Sequence, residues 1–573
     1  MIPSIERERV DGVMVLRADL PVDRTVACLT FRVGRFDETL PSSGVTHMVE
    51  HLTLVDKTEA PYSFNASVNG RYTSFYMESK DPSHVGAFVA DVCRGLATHR
   101  GTMLDRERRI LRTEAASRGG AGALGACLAE RYGATGPGLA NYEELGLYRL
   151  GWDDVRAWRE RWFTAGNAVL WIAGRWPDRL RIELPAWGAP WHEPLRPLAL
   201  NFPGFSVTGR GGIGLSMVAR RSVGGHAIAE VAQRRLTQTL RHESGLSYHV
   251  QAAMEELGDG LTHTWLAADA LAEQVTAAAH KMLSTFEEFS TEGCTQAELT
   301  AYRARLLEGY TSPSGAPTIL SRQAQAILNG QQWSAEGTLA AAAQLTPETT
   351  RVVARELHDS MIVAVPGSLP VVSGRMRQLP SWSSRAVTGM SHRAVDSGAV
   401  LTIGADGVML TPTTDRNVTV RYADTVALLC WADGKQTVVG ADGFTVQLDP
   451  DEWPDGTTLA AEVASRIPPE LSIPIDAPGR RRPGRQAPVK DAPSPSPSPS
   501  PSPTGRWAWL PRIVLEFFRV VYALLALCGV IAIAGGAVAG GVMFLAVGLG
   551  ALGWQEYRLR RRRQRRQAAS QSG

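Results

Sequence analysis

Between Val520 and Trp554 the chain runs 35 residues without a charged side chain. A stretch of that length is too long for a core helix and belongs in a bilayer. As one helix it overshoots the hydrocarbon by about 20 Å; as two it gives spans of about 16 residues, turning through Gly535-Gly536 to Gly540-Gly541. Arginines flank both ends: Arg506, Arg512 and Arg519 before it, Arg558 to Arg566 after it. Basic residues stay on the cytoplasmic side, which favours a hairpin within 513–557 over a single span. The Arg-rich tail, 558–573, then adds attraction to anionic head groups. The opening Met-Ile-Pro-Ser-Ile-Glu-Arg-Glu lacks an apolar signal segment. The expectation is a protein anchored in a bacterial inner or plasma membrane, with the bulk of the chain facing the cytoplasm. The six cysteines, Cys28, Cys93, Cys127, Cys294, Cys430 and Cys528, show no paired spacing and need no oxidising compartment.

Ahead of the apolar run lies a spacer, 476–512. It holds a basic patch, Gly479–Arg485, and a strict Pro-Ser alternation, Pro493–Pro503. Such a tract cannot build a core and stays extended. The remaining length has room for several domains. Net charge is only +3 and the excess is local, which argues against a nucleic-acid partner.

The chemistry is concentrated in His47-Met-Val-Glu50-His51. On a helix, two imidazoles four apart stack on one face, and the carboxylate three after the first shares it. That order is the inverted zincin motif, in which two histidines hold zinc and the glutamate activates water. A zinc site of this kind needs a third protein ligand. Glu107 and Glu114, in Leu104-Asp-Arg-Glu-Arg-Arg-Ile-Leu-Arg-Thr-Glu, are two helical turns apart and face the same way.

H-x-x-E-H followed by E-R-x-x-[VIL]-x-x-E resembles the pitrilysin/insulinase family of zinc peptidases, which includes the mitochondrial processing peptidases. The resemblance makes Glu114 the third ligand of one zinc per chain and Glu107 a supporting carboxylate of the catalytic site. Asn65-Ala66, with Thr73 and Tyr76, is similar to the family's cleft strand, on which an extended peptide adds as an extra β-strand. Phe163–Gly174 matches the strand that closes the family's first domain. Leu240-Arg241-His-Glu-Ser-Gly245-Leu-Ser-Tyr248 matches its second-half signature. By that likeness Glu50 is the general base, Tyr248 donates to the oxyanion, and Arg241 holds a substrate carbonyl. The stretch 52–64 is shorter than in the family by roughly three helical turns, so a helix close to the zinc is expected to be missing.

The implied fold class is α+β. Two similar pitrilysin-type α/β sandwich domains, 1–190 with the zinc site and 198–366, precede a small mostly-β domain, 395–475. Alternating runs and Ala-Asp-Gly turns in that third domain suggest a β-barrel closed by a helix at Thr458–Arg466, loosely like a pleckstrin-homology fold. Helical periodicity marks His84–Leu96, Leu104–Ser117, Trp152–Phe163, Ile228–Arg241 and Ala272–Phe289. In the family, half-size chains pair to close a chamber, so a homodimer or a heterodimer with a sister subunit is implied. The leading expectation is a membrane-tethered zinc endopeptidase acting on peptides or unfolded segments. The rival is a non-catalytic or heterodimer-dependent subunit acting in assembly or substrate capture.

Overall fold

The computed structural model describes residues 2–475, apart from 21, 56–59, 119–121, 187, 209–211, 384 and 414–415. All of these belong to one compact unit, Met1–Pro488. The spacer and the apolar run at 513–557 lie outside the described residues. No helix among the described residues is long and apolar enough to cross a membrane.

Two six-stranded sheets dominate. The first comprises β1 (Glu6–Val10), β2 (Val13–Ala18), β3 (Thr25–Phe31), β4 (Ser63–Val68), β5 (Thr73–Ser79) and β6 (Ala168–Ala173), in the order β1-β2-β6-β3-β5-β4. The second comprises β7 (Gly204–Val207), β8 (Ile213–Arg220), β9 (Val250–Gly258), β10 (Leu261–Ala268), β11 (Ile362–Val365) and β12 (Arg377–Gln378), in the order β12-β7-β11-β8-β10-β9. Five strands of each follow one plan. The last strand pairs parallel with the first (β6 with β2, β11 with β7) and antiparallel with the second, which leads through a hairpin to an edge strand. The two sheets thus repeat one strand plan. The second sheet recruits β12, beyond the expected limit at residue 366, and β1 escaped notice because Glu-Arg-Glu-Arg carries no apolar alternation.

Helices α1 (Val45–Leu54), α2 (Ser83–Ala97), α3 (Leu104–Arg118) and α5 (Trp152–Trp162) share the core of the first sheet, whereas α4 (Ala123–Tyr132) packs on β8 and β11 of the second. In α1, Val45, Met48, Val49 and Leu52 recur at helical spacing and enter a core with Phe31, Phe75, Phe88 and Leu170. That burial fixes the rotation of α1 about its axis. Between Leu54 and Ser63 no helix occurs among the described residues.

The third region holds two four-stranded sheets. One contains Gly389–Arg393, Val400–Gly404, Gly407–Thr411 and Val418–Arg421; the other contains Thr425–Trp431, Gln436–Gly440, Thr445–Leu448 and Ser472–Ile475. Its helix, Gly456–Ser465, does not close the region as expected, because Ser472–Ile475 follows it and pairs parallel with Thr425–Trp431. The region also starts earlier than 395. Both outer strands were hidden: Gly389–Arg393 is polar and mostly exposed, and Ser-Ile-Pro-Ile carries a proline, which is confined to sheet edges.

Candidate metal centre

Helix α1 starts on Gly44, whose φ of 89° lies in the left-handed region that glycine alone enters freely. Its first N–H groups meet an acidic cap from outside the helix. The Gly44 and Thr46 amides each donate to the Glu38 carboxylate, at 2.9 Å. Burial pushes the Glu38 carboxyl up to about 7, against the pull of those amides.

Three side chains leave the face of α1 turned away from the core stripe: His47, Glu50 and His51. Helix α3 crosses beside them and presents Glu107 and Glu114. Each imidazole is held by its Nδ1. His47 Nδ1–H donates to Glu144, with oxygens at 3.0 and 3.1 Å, and His51 Nδ1–H donates to Glu107 at 3.1 Å. Glu107 is itself held by Arg106 at 2.8 Å, and Glu144 lies 3.3 Å from Arg35. With both Nδ1 atoms protonated, both Nε2 lone pairs are available for a metal.

Those two Nε2 atoms approach two carboxylate oxygens, one from Glu114 and one from Glu50. Glu114 Oε2 is 3.8 Å from His47 Nε2 and 3.7 Å from His51 Nε2. These gaps are too long for hydrogen bonds and close to the ~3.4 Å between neighbouring ligand atoms on a tetrahedral ion with bonds of about 2.0–2.1 Å. Two neutral imidazoles and one carboxylate are the donor set that zinc takes in catalytic sites, and the site accommodates the ion. Glu50 Oε2 lies 3.7 Å from His47 Nε2 and 3.8 Å from His51 Nε2, with only 11 % of its side chain exposed. Burial raises its carboxyl pKa, and the two imidazoles oppose the rise.

The structure therefore brings together His47, Glu50, His51, Glu107 and Glu114. Glu107 acts on His51 through a hydrogen bond and does not join the converging donors. Asn65 and Ala66 lie on β4, the last strand of its sheet, where the Ala66 amide donates to Asn65 Oδ1 at 2.9 Å. Arg241 and Tyr248 lie in the second half of the chain. Arg241 sits on a π-helical turn, Thr237–Glu243, that continues the helix Val223–Leu236, with its guanidinium 5.0 Å from the Tyr248 ring centre. Tyr248 is 76 % exposed. Sequence reasoning missed Glu144 and Glu38. Glu144 lies at the start of a single 3-10 turn, Leu145–Tyr148, and Glu38 on the approach to α1, and neither place has a periodic signal.

No protein-family model matches the chain, and no curated protein matches it in sequence. Solved structures do match its fold. A protease from Helicobacter pylori is 14% identical, with a TM-score of 0.54 over 64% of this chain and 99% of that one. An inactive M16 peptidase domain from Pseudomonas fluorescens is 15% identical, with a TM-score of 0.53 over 64% and 99%. A chain of complex III2 from Candida albicans is 12% identical, with a TM-score of 0.51 over 63% and 95%. At these identities the likeness is one of architecture: the chain has the mixed α/β fold of the M16, or pitrilysin-like, domains.

Proposed function

We propose that this chain is a zinc-dependent endopeptidase, tethered to a membrane by its apolar run at 513–557 with the peptidase domains on the cytoplasmic side. The observation that carries the peptidase reading is the convergence of His47 Nε2, His51 Nε2 and Glu114 Oε2, with the buried Glu50 carboxylate beside both imidazoles. His47, His51 and Glu114 would hold one zinc, which when bound polarises a scissile carbonyl and acidifies water. Glu107 and Glu144 keep the two imidazoles in the tautomer and orientation that ligation needs.

Glu50 then takes the proton from the attacking water and passes it to the leaving amine. Substrate is an extended peptide or unfolded segment, added to the free edge of β4 at Asn65-Ala66 by main-chain hydrogen bonds. Arg241 and Tyr248 serve a site completed by a second subunit, Tyr248 donating to the oxyanion and Arg241 to a substrate carbonyl. The exposure of Tyr248 suits a residue covered only on pairing, whether with a second copy or a sister chain.

The test is zinc content and cleavage of a quenched peptide library by the full chain, wild type beside Glu50→Gln. One zinc per chain in both, with cleavage by wild type alone, is the expected result. Zinc in both with cleavage by neither points to a non-catalytic or heterodimer-dependent subunit. No zinc in either overturns the reading.

A further inference from the structure

Where the third region meets the first α/β domain there is a cavity of about 780 Å³, within the size range of small-molecule sites. Its walls carry Trp158 and Trp162 of α5, Trp191, Phe36 and Tyr132, while Val426 and Leu471 come from the third region. Trp158 and Trp162 lie 5.6 Å apart between ring centres. Trp191 is 69 % exposed, which is unusual for so large an apolar side chain.

The polar groups around this cavity are unevenly committed. Asp37 already takes Arg32, His192 and the Gly34 amide, and Glu38 takes two amides of α1. The donors are less occupied. Arg161 lies 4.8 Å from the Trp162 ring centre and lines the same cavity, as does Arg196. Glu193, exposed on the rim, is the one carboxylate of the wall not assigned to a partner above.

Aromatic walls with two guanidinium groups call for a ligand with a flat apolar body and an anionic end. We propose that this cavity is a binding site for an aromatic carboxylate, its ring system against the walls made by Trp158, Trp162 and Trp191 and its carboxylate on Arg161 and Arg196. The site is separate from the metal centre, and its occupation is independent of whether the chain is a peptidase.

The probe is 2-naphthoate, titrated into the full chain by calorimetry, with 2-naphthylmethylammonium as the charge-reversed control. Variants are Arg196→Gln, Arg161→Gln and Trp191→Ala. Their folding is checked by thermal unfolding. The expected result is saturable binding of one naphthoate per chain and no saturable binding of the cation. Either arginine variant and Trp191→Ala should weaken binding about fivefold or more. Absence of saturable naphthoate binding, equal binding of the cation, or affinity unchanged in all three variants would each overturn the proposal.

Discussion

Glu144 holds His47 across 97 residues of sequence, its two carboxylate oxygens 3.0 and 3.1 Å from Nδ1. The mirror contact, Glu107 on His51 Nδ1 at 3.1 Å, comes from α3. One imidazole is thus oriented by a helix and the other by a short irregular turn, and each has a basic neighbour behind its carboxylate, Arg106 for Glu107 and Arg35 for Glu144.

If these carboxylates act by orientation, Glu144→Gln should lower zinc affinity by about 10–100-fold without removing a ligand. Competition against a chromogenic chelator measures this. An unchanged affinity would mean that the imidazole is held well enough by packing alone.

Glu114→Gln should cost more metal than Glu107→Gln, because Glu114 lies near both Nε2 atoms whereas Glu107 meets His51 at Nδ1. A loss of a further tenfold or more is expected from replacing a charged ligand by a neutral one. Equal losses in the two variants would remove Glu114 from the ligand set.

Gly44 is constrained twice over. Its φ is 89°, and a Cβ there would lie 2.9 Å from both Glu144 Cβ and Leu147 Cγ. Gly44→Ala should therefore destabilise the protein by about 1–3 kcal/mol and weaken zinc binding together, since the same clash pushes Glu144 off His47. Thermal unfolding and zinc titration on one sample check both. A stability loss with intact zinc affinity would show that the turn yields without moving Glu144.

Acid sensitivity should come from a residue far from the metal. His263 is fully buried on β10 with Nε2 2.8 Å from Ser216 Oγ, and burial pushes its pKa down to about 3. The unfolded chain binds the proton near pH 6.5, whereas the folded chain resists it until about pH 3. The stability due to neutral His263 is therefore fully present above pH 6.5 and falls as the pH drops towards 3. At pH 5 the loss is about 2 kcal/mol relative to pH 7.5. Denaturant midpoints of wild type and His263→Asn across that range measure it: the variant should lack this component. An identical acid slope in both would assign the loss to carboxylates instead.

The grouping of the candidate site residues was legible in the sequence because helical geometry converts spacing into proximity. Residues 47, 50 and 51 share a face on any helix, as do 107 and 114, so two short strings defined five side chains. Helices α2, α3 and α5 were legible for the same reason, their apolar faces repeating at helical spacing. Glu144 and Glu38 were not legible, since a turn places its side chains by tertiary packing that no local pattern records. Strands β1 and Ser472–Ile475 were lost differently: one is charged at its first four positions, and the other is four residues long with Pro474 among them. Each pairs with only one neighbour and needs no continuous apolar run.

The third region carries none of the proposed zinc ligands, yet it reaches the metal helix through its packing. Ala427, Leu429, Ile473 and Ile475 form one core with Leu40, Leu139 and Leu145. Leu145 adjoins Glu144, and Leu40 lies two residues from Glu38, so the two turns that seat α1 take their apolar cover from sequence roughly three to four hundred residues further along. A chain cut near residue 390 would keep every proposed ligand and still lose the floor beneath them. In such a fragment, poor zinc retention would report a missing support and not a mistaken ligand set. The half that bears the proposed ligands and the third region are better regarded as a single folding unit, in which a region without proposed chemistry of its own sets how firmly the candidate site is held.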